Sequence, residues 1–185
     1  HFKTAATFNP HDAEIINRIG ACYLEKLEFD KALEHLTIAI ELDPKYAEAY
    51  SNRGTAHAKS GNNQRAIADF DKAIEFDPEF SEAYANRGLA FAKSGDHQMA
   101  IGDFDKAIEL DPENAAAYYK RGIAYQQSGN DHQAIKDYDR VIELAPQSAP
   151  AYYNRGMAYE KSDNPEQAIK DYAGAIELAP QYAPA

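Results

Sequence analysis

Residues 47–80 read AEAYSNRGTAHAKSGNNQRAIADFDKAIEFDPEF, and residues 81–114 read SEAYANRGLAFAKSGDHQMAIGDFDKAIELDPEN. The two stretches align without a gap over 34 residues. The same beat runs outward in both directions. Proline recurs at Pro10, Pro44, Pro78, Pro112, Pro146 and Pro180, and glycine at Gly20, Gly54, Gly88, Gly122 and Gly156. A fixed period of this length marks a repeat solenoid. A solenoid has no single core pocket, so activity is expected on a long surface built from equivalent positions.

Each repeat divides into two helices. Ala66, Ile67, Phe70, Ala73 and Ile74 fall at i, i+1, i+4, i+7 and i+8, one face of an α-helix. Tyr50, Gly54, His57 and Ala58 give a second, shorter face upstream. Ser60-Gly61-Asn62, Ser94-Gly95-Asp96 and Ser128-Gly129-Asn130 separate the two. Glycine there suits the left-handed turn after a helix, and the next Asn or Asp is placed to cap the second helix. Asp163-Asn164-Pro165 does the same in the last repeat. The Asp-Pro and Ala-Pro pairs end the second helices. The expected repeats are 13–46, 47–80, 81–114, 115–148 and 149–182. Residues 1–12 read as the end of a preceding, truncated repeat, and residues 183–185 as the start of a following one.

Tyr50, Gly54, His57, Ala66, Phe70, Ala73 and Pro78, with their equivalents, resemble the tetratricopeptide repeat family over essentially the whole chain. The resemblance implies an all-α solenoid, a right-handed superhelix of antiparallel helix pairs whose first helices line a concave wall. One column usually apolar in the family holds Arg53, Arg87, Arg121 and Arg155, with Ile19 in the first repeat. Arginine can bury its stem and snorkel from such a site, so a structural role is expected.

Composition excludes several functions. The net charge is −11, against the basic face that nucleic acid requires. No apolar run reaches the length of a membrane span, so membrane insertion is not expected. Cys22 is the only cysteine and shares a column with Ala56, Ala90, Ala124 and Ala158, so a small buried residue is expected. A lone cysteine forms no intramolecular disulfide, which favours a reducing, cytoplasmic setting without fixing the compartment. No nucleophile elbow, phosphate loop or metal motif occurs, so neither catalysis nor a cofactor is expected of this segment. His57 sits in an aromatic packing column. Asp69-Asp71, Asp103-Asp105 and Asp137-Asp139 are two apart on a helix and read as a solvated face.

The candidate site lies on the first helices. Asn52, Asn86 and Asn154 share a column with Arg18 and Lys120. Asparagine offers a donor and an acceptor, so a row of them could hold an extended backbone without reading its sequence. The wall of the repeat superhelix in O-linked N-acetylglucosamine transferase carries a similar asparagine column. Arg18 and Lys120 interrupt the row here and suggest docking points for an acidic group. Asn17, Tyr119 and Tyr153 lie one position earlier, and Leu89, Ile123 and Met157 three later. Tyr119 and Tyr153 with Leu89, Ile123 and Met157 make the C-terminal part of the wall apolar and aromatic, as partner-binding surfaces are. Lys59, Lys93 and Lys161 line one side. The chaperone-tail clamp of related co-chaperones needs basic residues in the columns of Glu48 and Ser51, and these are missing.

The expected function is a protein–protein interaction scaffold that binds an extended peptide or a partner helix in the groove. The alternatives are a recruiting or regulatory arm of a larger enzyme, and a self-assembling architectural segment. Phe2, Ile169, Tyr172 and Ile176 are expected to be partly uncovered and to favour end-to-end association.

Overall fold

The computed structural model describes residues 12–180, and over them the chain is an all-α solenoid of helix pairs. The first helices are α1 (Ala13–Glu25), α3 (Ala47–Lys59), α5 (Ser81–Lys93), α7 (Ala115–Gln127) and α9 (Ala149–Lys161). The second helices are α2 (Phe29–Leu42), α4 (Asn63–Phe76), α6 (His97–Leu110), α8 (Asp131–Leu144) and α10 (Pro165–Leu178). Phe2 lies outside the described residues, as do the rest of residues 1–11 of the expected partial repeat 1–12 and residues 183–185 of the expected following one.

Local chemistry explains the breaks. Gly61, Gly95 and Gly129 adopt φ of +83°, +85° and +80°, the left-handed region open to a residue without Cβ. The equivalent positions hold Leu27 at +60° and Asp163 at +57°. A left-handed conformation costs a leucine about 1–2 kcal/mol, and Leu27 is also 65% exposed. Asp96, Asn130 and Asn164 accept hydrogen bonds from the N–H groups of Met99, Gln133 and Gln167. Asn62 occupies the same cap position without making such a bond.

The described residues form two compact units, divided between Ala90 and Phe91. In the first, α2 packs on α1 and α3, and α3 on α4. Leu24, Ala32, Leu36 and Ala56 make one buried cluster across α1, α2 and α3, and Ala66, Phe70 and Ala90 make another. In the second unit α7 packs on α6 and α8, and α9 on α8 and α10. Small residues face large ones. A Cβ on Gly122 would lie 2.7 Å from the fully buried ring of Tyr138, so only glycine lets α7 and α8 approach this closely.

Cys22 corrects one expectation. Its column partners are buried, yet Cys22 is exposed. Ala56 is covered by α2, the helix before its own, and among the described residues no helix precedes α1. At the other end Ile169 is 68% and Ile176 47% exposed, while Tyr172 is half-buried.

The aspartates correct another. Asp69, Asp103, Asp137 and Asp171 are buried, not solvated. Arg53, Arg121 and Arg155 each grip the aspartate sixteen residues ahead with Nε and Nη2. The distances are 2.9 and 2.7 Å to Asp69, 2.9 and 2.6 Å to Asp137, and 2.7 and 2.6 Å to Asp171. The outer aspartate of the preceding pair takes Nη1. Asp71 accepts from Arg87, Asp105 from Arg121 and Asp139 from Arg155, each at 2.6 Å. Two residues apart on a helix do point in different directions, and that is why the two aspartates of one helix are held by different arginines, Asp137 by Arg121 and Asp139 by Arg155. One guanidinium holds its own pair together with one edge and reaches the previous pair with the other. Tyrosines of the same helix flank it. The Arg121 guanidinium carbon is 5.4 Å from the Tyr118 ring centre and 5.9 Å from that of Tyr125. The hydrogen bond to Asp171 is the largest influence raising the Arg155 pKa, as that to Asp69 is for Arg53. Where repeat one lacks the arginine, it also lacks the aspartates: Ile19, His35 and Thr37 stand in those places.

His57 belongs to this network without being satisfied by it. Its Nε2 is 3.9 Å from Asp69 Oδ2, and its Nδ1 is buried with no hydrogen-bond partner. Burial lowers its pKa from the ordinary 6.5; Arg53 and Arg65 push the same way and Asp69 opposes them. The unfolded chain therefore takes up this proton at a higher pH than the folded one. Stability is expected to fall as pH drops through about 6.5, and to level off below the folded-state value. His57→Phe, the residue type of Phe91 in the same column, should flatten this dependence. Urea midpoints at pH 7.5 and 5.5 check it. An equal drop in the variant and the wild type would assign the proton uptake to another group.

Candidate functional wall of the first helices

The sequence-derived site residues all lie on first helices, and each unit presents its own set. In the first unit Asn17 and Arg18 are on α1, Asn52 and Lys59 on α3, and Asn86 and Leu89 on α5. Asn17 is fully buried. Its Nδ2 donates to Tyr46 Oη at 3.3 Å and to Glu48 Oε1 at 3.0 Å, and its Oδ1 accepts from Asn52 Nδ2 at 2.9 Å. Asn17 therefore braces α1 against α3, and its side chain is closed to a ligand. Arg18 is exposed and paired with Glu14 at 2.8 Å on its own helix. Asn86 and Leu89 are half-buried, and Lys59 is exposed.

In the second unit the residues converge. A cleft of about 320 Å³ runs between α7 and α9, lined by Ile123, Gln126, Gln127, Asn154, Met157 and Lys161. Asn154 Nδ2 donates to Tyr119 Oη at 2.7 Å. Its Oδ1 accepts no hydrogen bond from the described residues. Tyr119 leans on Tyr138, with ring centres 5.9 Å apart, and Tyr153 on Tyr172 at 5.7 Å. Both wall tyrosines are half-buried, so they pack within their own helix pair and still offer an edge. Burial and the hydrogen bond to Glu160 push the Tyr172 hydroxyl up to about 12. Lys120 is half-buried, while Lys93 and Lys161 are exposed.

Asn52 and Asn154 thus share a geometry. Each reaches 35 residues back to the preceding first helix, to Asn17 or Tyr119. The donor half of the amide ties neighbouring helices together, and the acceptor half is left for the wall. Gln126 was not foreseen. Its Nε2 donates to the Asn154 backbone carbonyl at 3.3 Å, and its Oε1 accepts from Tyr138 Oη at 2.6 Å. The signal was present, because the Gln126 column otherwise holds Leu24, Ala58, Ala92 and Glu160.

Among the described residues no cluster of three His, Cys, Asp or Glu could hold a metal ion. No described helix is long and apolar enough to cross a membrane.

Residues 47–80, 81–114 and 123–185 match models described as tetratricopeptide repeat; residues 104–136 match a further such model and residues 23–61 one described as TPR repeat. The crystal structure of MamA is 30% identical, with a TM-score of 0.82 over 88% of this chain and 95% of that one. YrrB, described as a TPR protein with an unusual peptide-binding site, is 25% identical, with a TM-score of 0.80 over 94% and 90%. MamA 41-end from Desulfovibrio magneticus RS-1 shares the fold at 22% identity, with a TM-score of 0.85 over 95% and 99%. Comparison with curated proteins returned no match. The columns, the helix pairs and these matches agree: the chain belongs to the tetratricopeptide repeat family.

Proposed function

We propose that this chain is a protein-interaction scaffold, not an enzyme, and that it binds an extended peptide on the wall of its first helices. The cleft between α7 and α9 carries the reading. It places apolar Ile123 and Met157 beside an amide oxygen, Asn154 Oδ1, that is free to accept a peptide N–H. The donor half of that amide is held by Tyr119, so the acceptor is oriented before a ligand arrives. YrrB, a relative with a peptide-binding site, supports the same reading.

A displayed random-peptide library selected on the immobilised chain, followed by calorimetry, tests it. Changing Asn52, Asn86 and Asn154 together to alanine removes up to three hydrogen bonds. At about 1 kcal/mol each this costs roughly a hundredfold in affinity. Wild-type affinity in the triple variant would remove the asparagines from the site. A library with no enriched sequence would remove the groove.

Self-association is a second reading, favoured by the uncovered Ile169 and Ile176 of α10 and by the apolar face of α1 around Ile15, Ile19 and Cys22. Light scattering against concentration tests it, and a constant monomer mass would exclude it.

A further inference from the structure

Resting on the groove reading above, we infer that the wall of α7 and α9 selects an acidic segment with apolar side chains between its carboxylates. The charge distribution carries this. The chain is acidic overall, at −11. Several cations of the second helices are neutralised locally: Lys72 by Glu75, Lys106 by Glu109 and Arg140 by Glu143. The α7–α9 wall is different. Helix α7 contains no Asp or Glu. The only acid of α9, Glu160, accepts a hydrogen bond from Tyr172 Oη at 2.7 Å. Arg121 and Arg155 are each matched by two aspartates. Lys120 and Lys161 remain, and neither makes an ion pair with the described residues.

Their placement sets the spacing of the ligand. Lys120, Ile123 and Gln127 form one stripe on α7, and Asn154, Met157 and Lys161 the equivalent stripe on α9. One lysine stands at each end of this pair of stripes, with Ile123 and Met157 between them. Seven residues of helix advance about 10 Å and packed helices lie about 8–10 Å apart, so the diagonal from one lysine to the other is about 14 Å, which an extended chain covers in about four residues. The matching segment therefore carries carboxylates about four residues apart with apolar residues between. Asn154 Oδ1 accepts a backbone N–H of that segment.

Three blocked heptapeptides test this by titration into the isotope-labelled chain, following the amide signals of Ile123 and Met157. They are Gly-Glu-Leu-Leu-Leu-Glu-Gly, its lysine counterpart Gly-Lys-Leu-Leu-Leu-Lys-Gly, and Gly-Glu-Ser-Ser-Ser-Glu-Gly. The first should bind about tenfold more tightly than either other at low salt, and the advantage over the lysine peptide should shrink as salt rises. Lys120→Gln with Lys161→Gln should abolish the charge preference, and Lys120→Glu with Lys161→Glu should invert it. Binding of both leucine peptides without preference would overturn the acidic selectivity and leave the groove reading standing. No signal change with any peptide at millimolar concentration would overturn both for this wall.

Discussion

Arg121→Ile is expected to destabilise the protein by about 3–5 kcal/mol, the cost of leaving a buried charge without its partner. The Asp137 side chain is 6% exposed, and both its oxygens accept from Arg121. Removing the guanidinium leaves that carboxylate with no cation in reach and little water. Asp105 provides the contrast. It accepts from the same guanidinium at 2.6 Å, but its side chain is 53% exposed. Asp105→Ala should therefore cost no more than about 1 kcal/mol, as an exposed ion pair does. Adding Asp137→Asn to Arg121→Ile should recover part of the loss, because the stranded charge is gone. Urea unfolding of the wild type and the three variants reads these differences. A loss below about 1 kcal/mol for Arg121→Ile alone would mean that water reaches Asp137.

Tyr138→Ala is expected to cost a similar 3–5 kcal/mol, by emptying a site that close packing cannot refill. The ring is fully buried, sits over Gly122 and Tyr119, and donates its hydroxyl to Gln126. Tyr138→Phe should cost only about 1 kcal/mol, the value of the hydrogen bond. Tyr172→Ala, at the equivalent position of the next pair, should cost less than Tyr138→Ala. The reason is coverage: α8 packs on both α7 and α9, whereas among the described residues α10 packs on α9 alone. Equal losses at the two positions would show that neighbouring pairs add nothing to the burial of this ring, contrary to the additive interfaces of a solenoid.

The arginine network shows how far columns can be read. Arginine and aspartate sixteen residues apart recur in repeats two to five, and repeat one lacks both members. That joint presence and absence is a pairing signal in the chain itself. Considering the Asp69-Asp71 spacing on one helix alone concealed it, because the partner lies on another helix. The wall residues were partly legible in the same way. Ile123, Asn154, Met157 and Lys161 share one cleft. Asn17 is closed off, because Tyr46, Glu48 and Asn52 surround its amide.

The amino-acid sequence by itself determined the period, the two helices of each repeat, their breaks and the facing of small residues against large ones. Those features follow from helical periodicity and turn chemistry, which act over a few residues and repeat with the chain. Only the tertiary structure decided which equivalent residues behave differently. Cys22 and Ala56 share a column, yet one is exposed and the other buried, because burial depends on whether a neighbouring helix covers that face. Asp69 and Asp71 differ by two residues, yet one is enclosed and the other open, because a guanidinium from a first helix reaches between pairs. A column specifies equivalence of position; the contacts at that position are made by helices the column does not contain.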